Sequence, residues 1–441
     1  MLKLVRGSAL LLLFAGAFRS GALALDVEFP KYDSGCGVLI ARAGEALEIK
    51  WRGSHERNCA ATLSLRPGEP LLKALGVSGK VLASEVTPVF DITTGARVQR
   101  PGVKYIFFDK PATGTNGPVR HFTAALDLKS VRVESAGARA TVSLNRLRAG
   151  PFSGDLNLHF YAGSSLIQIE AAMRQEQKGV AYIYDAVVEG RFEKIAWKNP
   201  NDEFVREIPS GMPRPVAVRY RTIMAESEKG TVAVFPPPHA FFFPRDYSIN
   251  FKFAQVGEGR FGLRQDPAGG QGHEGAYIPW FDAPAGKVQR MSLFVYLSPE
   301  TPEQTLTEIE GYTHQDKFKR LDGFVTFAGH MHSALTVHEH ASAPRAATFK
   351  KVFKGMNVQA FQLAEFHGDG HPKDTGTLRL EELQGMFGLC RKYSDPQFLL
   401  LPSEEANAYF PGHTVLLFPK PVFLTLAPTK GKPFSEAVPP Y

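Results

Sequence analysis

The sequence predicts a multidomain chain, an all-β sandwich followed by an α/β unit. Three observations carry this. Short alternating segments fill the first two thirds, the pattern turns to β–α–β after residue 319, and the histidines crowd into that last part. Of the 13 His, eight fall between Tyr312 and Tyr441. At 441 residues the chain exceeds one ordinary domain.

Residues 1–24 read as a secretory signal peptide. Lys3 and Arg6 precede the apolar run "GSALLLLFAGAF", and "ALA" at residues 22–24 offers small residues for cleavage after Ala24. The apolar run is too short for a membrane span, which needs roughly 20 residues. The expected protein is therefore periplasmic or secreted, with no transmembrane span after cleavage. The formal charge of +7 falls to +4 once Lys3, Arg6 and Arg19 are removed, and no basic run carries interleaved aromatics, so nucleic acid is not an expected partner.

Residues 25–300 read as the β-sandwich domain. "GEALEIKW", "CAATLSL", "HFTAALDL", "ARATVSLN", "LNLHFYA", "SLIQIEAAM", "VAYIYDAVV", "GTVAVFP" and "MSLFVYLS" alternate as strands, with turn signals such as "TGTNGP", "KNPNDE" and "PAGGQGHEG" between segments. Thirty-three Phe and 32 Pro suit a β-rich chain with many turns. In an oxidising compartment Cys36 and Cys59 can pair; two separate buried thiols are the other reading. His55, His121, His159, His239 and His273 are scattered and read as structural or exposed. "FPPPHAFFFPRDY" (235–247) is either a candidate aromatic binding surface or a Pro-bounded strand with Phe241, Phe242 and Phe243 partly in the core.

Residues 301–319 read as a connecting helix. Thr301 stands as N-cap before Pro302, and Leu306 and Ile309 share a face. Residues 320–441 then alternate. "GFVTFAGHMH", "NVQAFQLAEF", "QFLLLPSEEA" and "HTVLLFPK" read as strands, "APRAATFKKVFKGM" and "TLRLEELQGMFGLCRKYSD" as helices. Cys390 falls on the packed stripe of the second helix. Apolar strands alternating with helices argue a parallel sheet or barrel covered on both faces.

Every polar cluster in this part sits at a strand end. His330 and His332 close the first strand. Glu365, His367, Asp369 and His371 close the second, Glu404 and Glu405 the third, and His413 opens the fourth. Function in α/β barrels collects at such ends. Imidazole and carboxylate suit Zn, Mn or Fe, and a His-x-His spacing puts both rings on one side of a strand. His338 and His340 read as solvated loop residues. Asp369 and His371 lie in "HGDGHPKD", a stretch that can hold a ligand, a substrate contact or a solvated turn.

This order of motifs resembles the PHP (polymerase and histidinol phosphatase) superfamily, and within it the exported carbaryl-hydrolase-like (CehA/McbA) branch. The resemblance covers about residues 320–441. It implies a distorted (β/α)7 barrel with two or three divalent metal ions at the strand ends. It implies His330, His332, Glu365, His367, Glu405 and His413 as metal ligands, and His367, Asp369 and His371 as catalytic residues. Glu365 stands where the family usually has Asp, and Ser403 where it usually has Gly. "PSEE" favours Glu405 over Glu404 as the bridging carboxylate. The family pattern needs a later His and a final Asp-x-His-type motif, which "PKPVFLTLAPTKGKPFSEAVPPY" does not supply; the PHP part is thus expected to be incomplete, a partial barrel truncated at its C-terminus.

The expected function is hydrolysis of a small phosphoester, carbamate or other ester by metal-activated water. The alternative expectation is an extracellular protein that binds carbohydrate or another polymer through its sandwich, with an inactive or incomplete PHP-like part.

Overall fold

The computed structural model describes residues 25–96, 119–199, 201–237, 252–265, 281–332, 350, 353–366, 377–406, 414–417 and 419–420. Strands dominate these residues. They form two large sheets and one small one.

The first large sheet runs, in spatial order, through Asp26–Lys31, Ser130–Ala136, Arg139–Ala149, Phe152–Tyr161, Leu166–Arg174, Gln289–Ser298, Gly230–Phe235, Ile223–Ser227, Lys194–Lys198 and Phe204–Glu207. The second runs through Arg214–Val216, Ala254–Gly257, Arg260–Leu263, Val180–Glu189, Lys80–Ala96, Leu72–Val77, Asn58–Ser64, Ala46–Arg52 and Val38–Ala43. Neighbours are antiparallel except Asp26–Lys31, which lies parallel to Ser130–Ala136. The long strand Lys80–Ala96 joins two halves of the second sheet, pairing first with Leu72–Val77 and then with Val180–Glu189.

Alternation decides which side chains fill the space between these sheets. Val142, Leu144, Leu158, Phe160, Ile167, Ile169, Ala171, Met173, Met291, Leu293, Val295 and Leu297 are buried in one continuous core. Opposite them stand Leu47, Ile49, Leu63, Leu75, Phe90, Ile92 and Phe261. Cys36 and Cys59 belong to this core as free buried thiols, so the disulfide reading does not hold. Burial raises the Cys59 thiol above its ordinary range.

The helix Pro302–Thr313 forms as the sequence specifies. Thr301 caps it reciprocally with Gln304, Pro302 opens it, and Leu306 and Ile309 are buried. It packs on the outer side of the first sheet against Leu166, Met224, Phe235 and Tyr296. Glu308 pins it there: Arg57 stands 2.9 Å away and the Tyr296 hydroxyl donates at 2.8 Å.

The small sheet follows the order Phe327–His332, Ala360–Phe366, Leu399–Ala406, Thr414–Leu417. Its first three strands are parallel and the last is antiparallel. The helix Thr377–Tyr393 packs on it through Met386, Phe387, Leu389 and Cys390, over Phe361, Leu363, Phe398 and Leu400. Cys390 is buried in this cluster as a packing residue, and that burial drives its thiol up to about 12.

This overturns the expected fold class, an all-β sandwich followed by a partial distorted β/α barrel. The described residues are mainly sheet, and the small sheet is open and of mixed direction. The reason is visible in chain length. Only seven residues separate Ala406 from Thr414, whereas a parallel crossover needs about a dozen or more. The chain must turn back, and the ladder becomes antiparallel.

If one apolar layer holds the two large sheets together, Phe160→Ala should cost about 3–5 kcal/mol in a urea titration, because Phe160 is 0% exposed. Val81→Ala, at a side chain 44% exposed, should stay within about 0.5 kcal/mol of wild type.

Candidate functional site

His332 pairs in register with Ala364, Glu365 with Glu404, and Phe366 with Glu405. Because these strands are parallel, the segments ending at His332, Phe366 and Ala406 reach the same edge of the small sheet. Ala406 pairs with Thr414 in the antiparallel ladder, so the fourth strand begins at that edge too. By register His332, Ala364 and Ser403 form one row across the sheet, and Glu405 lies two residues beyond Ser403 in the same parity. Glu365 and Glu404 form the adjacent row.

One element departs from the sequence reading. The ladder passes from Gly329↔Gln362 to Met331↔Leu363, which leaves His330 as the extra residue of a bulge. The strict period of two assumed for His-x-His is not kept there. Ser403, where the PHP pattern has Gly, is 2% exposed, and its hydroxyl donates to the Leu363 carbonyl at 2.6 Å. It ties the two carboxylate-bearing strands together. His367, Asp369, His371 and His413, with His338 and His340, lie outside the described residues, as do Phe241, Phe242 and Phe243. Among the described residues there is no group of three or more His, Cys, Asp or Glu placed to hold a metal ion.

A second constellation was not anticipated. On the outer face of the first large sheet, two rows of polar residues cross the central strands. Ladder pairing puts Glu134, Thr141, His159, Gln168 and Phe294 in one row. The next row holds Arg132, Ser143, Asn157, Glu170 and Ser292. On the three central strands their sequence neighbours lie in the apolar core, which leaves these residues the outer face.

The side chains are linked. Thr141 Oγ1 and His159 Nδ1 are 2.8 Å apart, and His159 Nε2 stands 3.9 Å from Glu170 Oε1. Arg290 donates to the same Glu170 oxygen, while Ser292 donates to Oε2 at 3.3 Å. Gln168 bridges onward, donating to Ser292 Oγ at 3.2 Å and accepting from the Tyr161 hydroxyl at 2.7 Å. Glu170 is 4% exposed. Burial alone would push its carboxyl up. The His159 imidazole and the Arg290 guanidinium outweigh that and hold it below the ordinary glutamate value of 4.5. Burial raises the Tyr161 phenol, which stays a neutral donor. Arg290, 65% exposed at its side chain, carries the network to the surface.

The result is a linked set of donors and acceptors beside Tyr161 and Phe294, in which His159, Glu170 and Ser292 are buried and Thr141, Gln168 and Arg290 reach solvent, with Phe294 stacked on Phe235 at 5.5 Å. Such an array can hydrogen-bond a ligand rich in hydroxyls and pack a ring face beside it. The signal lay in "LNLHFYA" and "SLIQIEAAM", where Asn157, His159, Tyr161, Gln168 and Glu170 occupy alternate positions. Each strand alone reads as ordinary amphipathic β; only pairing register joins them.

No family model and no curated protein matches the chain. Among solved structures, an alpha-mannosidase from Enterococcus faecalis V583 superposes with a TM-score of 0.30 at 11% identity, covering 63% of this chain and 32% of that one. The GH36 alpha-galactosidase AgaB from Geobacillus stearothermophilus gives 0.31 at 9% identity, covering 84% of this chain and 56% of that one. The chain thus spans less than two thirds of either enzyme. At these scores the likeness assigns neither a fold family nor an activity.

The Glu170 network sets a pH dependence. A carboxyl with a lowered folded-state pKa adds stability above the ordinary glutamate value, and that stability is lost as pH falls through the lowered value. Glu170→Gln should therefore be less stable than wild type by about 1–3 kcal/mol at neutral pH. In urea titrations at descending pH the gap should close below 4.5. A gap independent of pH would mean that packing, not charge, is at work.

Proposed function

We propose that this is an exported β-sandwich protein that binds an extended polyhydroxylated polymer, a carbohydrate, on the outer face of its first large sheet. One observation carries the reading. Hydrogen-bonding side chains from four adjacent strands, Thr141, His159, Gln168, Glu170, Ser292 and Arg290, form a connected polar array on a sheet whose other face packs into the apolar core. A purely structural outer face needs no such linkage, because each polar side chain could be satisfied by water. Gln168, Asn157 and Thr141 are half-buried, so they offer polar atoms while excluding much of the bulk solvent.

The test is affinity electrophoresis against a panel of soluble polysaccharides, followed by calorimetry on the polymer that retards the chain. Gln168→Ala and Arg290→Ala should each weaken binding by about tenfold, a loss near 1.4 kcal/mol, with unchanged far-ultraviolet circular dichroism. Binding that survives both substitutions would remove the polar face from the account.

A second reading rests on the small sheet. The register that brings the ends of three parallel strands to one edge favours a divalent metal centre there, Zn, Mn or Fe. His332 and Glu405, on one parity, would hold the ion with the bulged His330, and the imidazole and carboxylate donor set fits such metals. When bound, it would supply Lewis acidity and activated water for ester or phosphoester hydrolysis. His332 and Glu405 share a parity, which favours Glu405 over Glu404. Ser403 fixes the spacing of the strands that bear Glu365 and Glu405. Plasma mass spectrometry of the chelator-free protein should find metal that is lost in His330→Ala/His332→Ala. Equal metal in both proteins would count against this edge.

A further inference from the structure

The sandwich fails to close at one point. Val86 of the strand Lys80–Ala96 still pairs with Leu72, and the next residue, Thr87, pairs with Glu189 of a different strand. On the facing sheet the ladder between Arg139–Ala149 and Phe152–Tyr161 carries a bulge at Arg146, whose φ is 67°. A crossing strand on one side and a bulge on the other both turn backbone away from the shared layer. Between them lies a cavity of about 220 Å³.

Its interior wall is apolar: Phe90, Leu128, Leu147 and Leu156 are all buried. Its rim is the polar turn after the strand Asn58–Ser64, with Ser64, Arg66 and Glu69. The rim charges are already matched. Arg66 pairs with Glu45 and with Glu69 at 3.3 Å, Lys73 pairs with Glu69 at 2.9 Å, and the Ser64 hydroxyl donates to Glu69 at 2.8 Å. A charged ligand end would have to break one of these pairs. A neutral hydroxyl or ring N–H would not.

Size and lining narrow the occupant. An apolar cavity of about 150 Å³ stays dry and takes benzene. This one is larger and has a polar mouth. We propose that it is a binding site for a small neutral amphipathic aromatic, a molecule of phenol or indole size whose ring enters between the sheets and whose single donor faces the rim. The site is separate from the polar outer face, because its walls are inward-facing residues of both sheets.

Fluorine NMR with 4-fluorophenol and calorimetry with indole test this on the full chain, with benzoate as the charged control. Saturable binding of both neutral ligands is expected, with benzoate weaker by about tenfold or more. Leu147→Phe, which fills the cavity, should weaken fluorophenol binding by about tenfold or more. Leu126→Ala, on a short edge strand at the cavity wall, should shift preference from fluorophenol toward indole and serves where the filled variant does not fold. Absence of saturable binding by wild type, benzoate binding as well as the neutral ligands, or an unshifted preference in Leu126→Ala would each overturn the proposal.

Discussion

One apolar layer shared by two large sheets fixes everything outside it. Side chains along a strand alternate with period two, so a slip of one residue would expose Leu158 and Phe160, or Ile167 and Ile169, to solvent. The core therefore locks the register of four neighbouring strands. Once locked, that register also decides which outward residues become neighbours. Thr141, His159 and Gln168 meet because Val142, Phe160 and Ile167 must be buried. The polar array is a by-product of the core in geometry, but not in chemistry. Its residue types are free to vary on the outer side, and they include a carboxylate almost fully withdrawn from water.

That carboxylate is the costly element. A buried charge is stable only with partners, and Glu170 has three, His159, Arg290 and Ser292, each on a strand fixed by the same core. The helix Pro302–Thr313 repeats the device at the end of the sheet. Glu308 sits between Arg57 and Tyr296, tying the start of the C-terminal part to both sheets of the sandwich. In both places an acid links elements that hydrophobic burial alone would leave free to slide.

Local features were legible in the sequence and long-range ones were not. The strand "SLIQIEAAM" and the capped helix beginning at Thr301 follow from alternation and from the Thr-Pro-Glu-Gln order, because both depend on residues a few positions apart. The barrel expectation failed because the direction of Thr414–Leu417 depends on the short return after Ala406, which apolar periodicity does not encode. The bulge at His330 was hidden for the same reason: it is a property of two strands, not one. His159 read as one scattered histidine, since nothing near it in sequence reveals Glu170 or Ser292 as neighbours. The exception is that the three parallel strands carrying His332, Glu365 and Glu405 end together, with Glu365 on the opposite parity from the other two. Polar residues at successive strand ends mark an edge whichever way the sheet closes.

On this reading the outer polar face of the first sheet meets a ligand. Hydroxyl-radical footprinting of the full chain, with and without a retained polysaccharide, tests it most directly by reading side-chain reactivity. Lowered oxidation is expected at the half-buried Tyr161 and Phe294, with no change at Phe318 and Phe324, which are exposed elsewhere. Unchanged reactivity at Tyr161 and Phe294 while the polymer is bound would rule out ligand contact at this face.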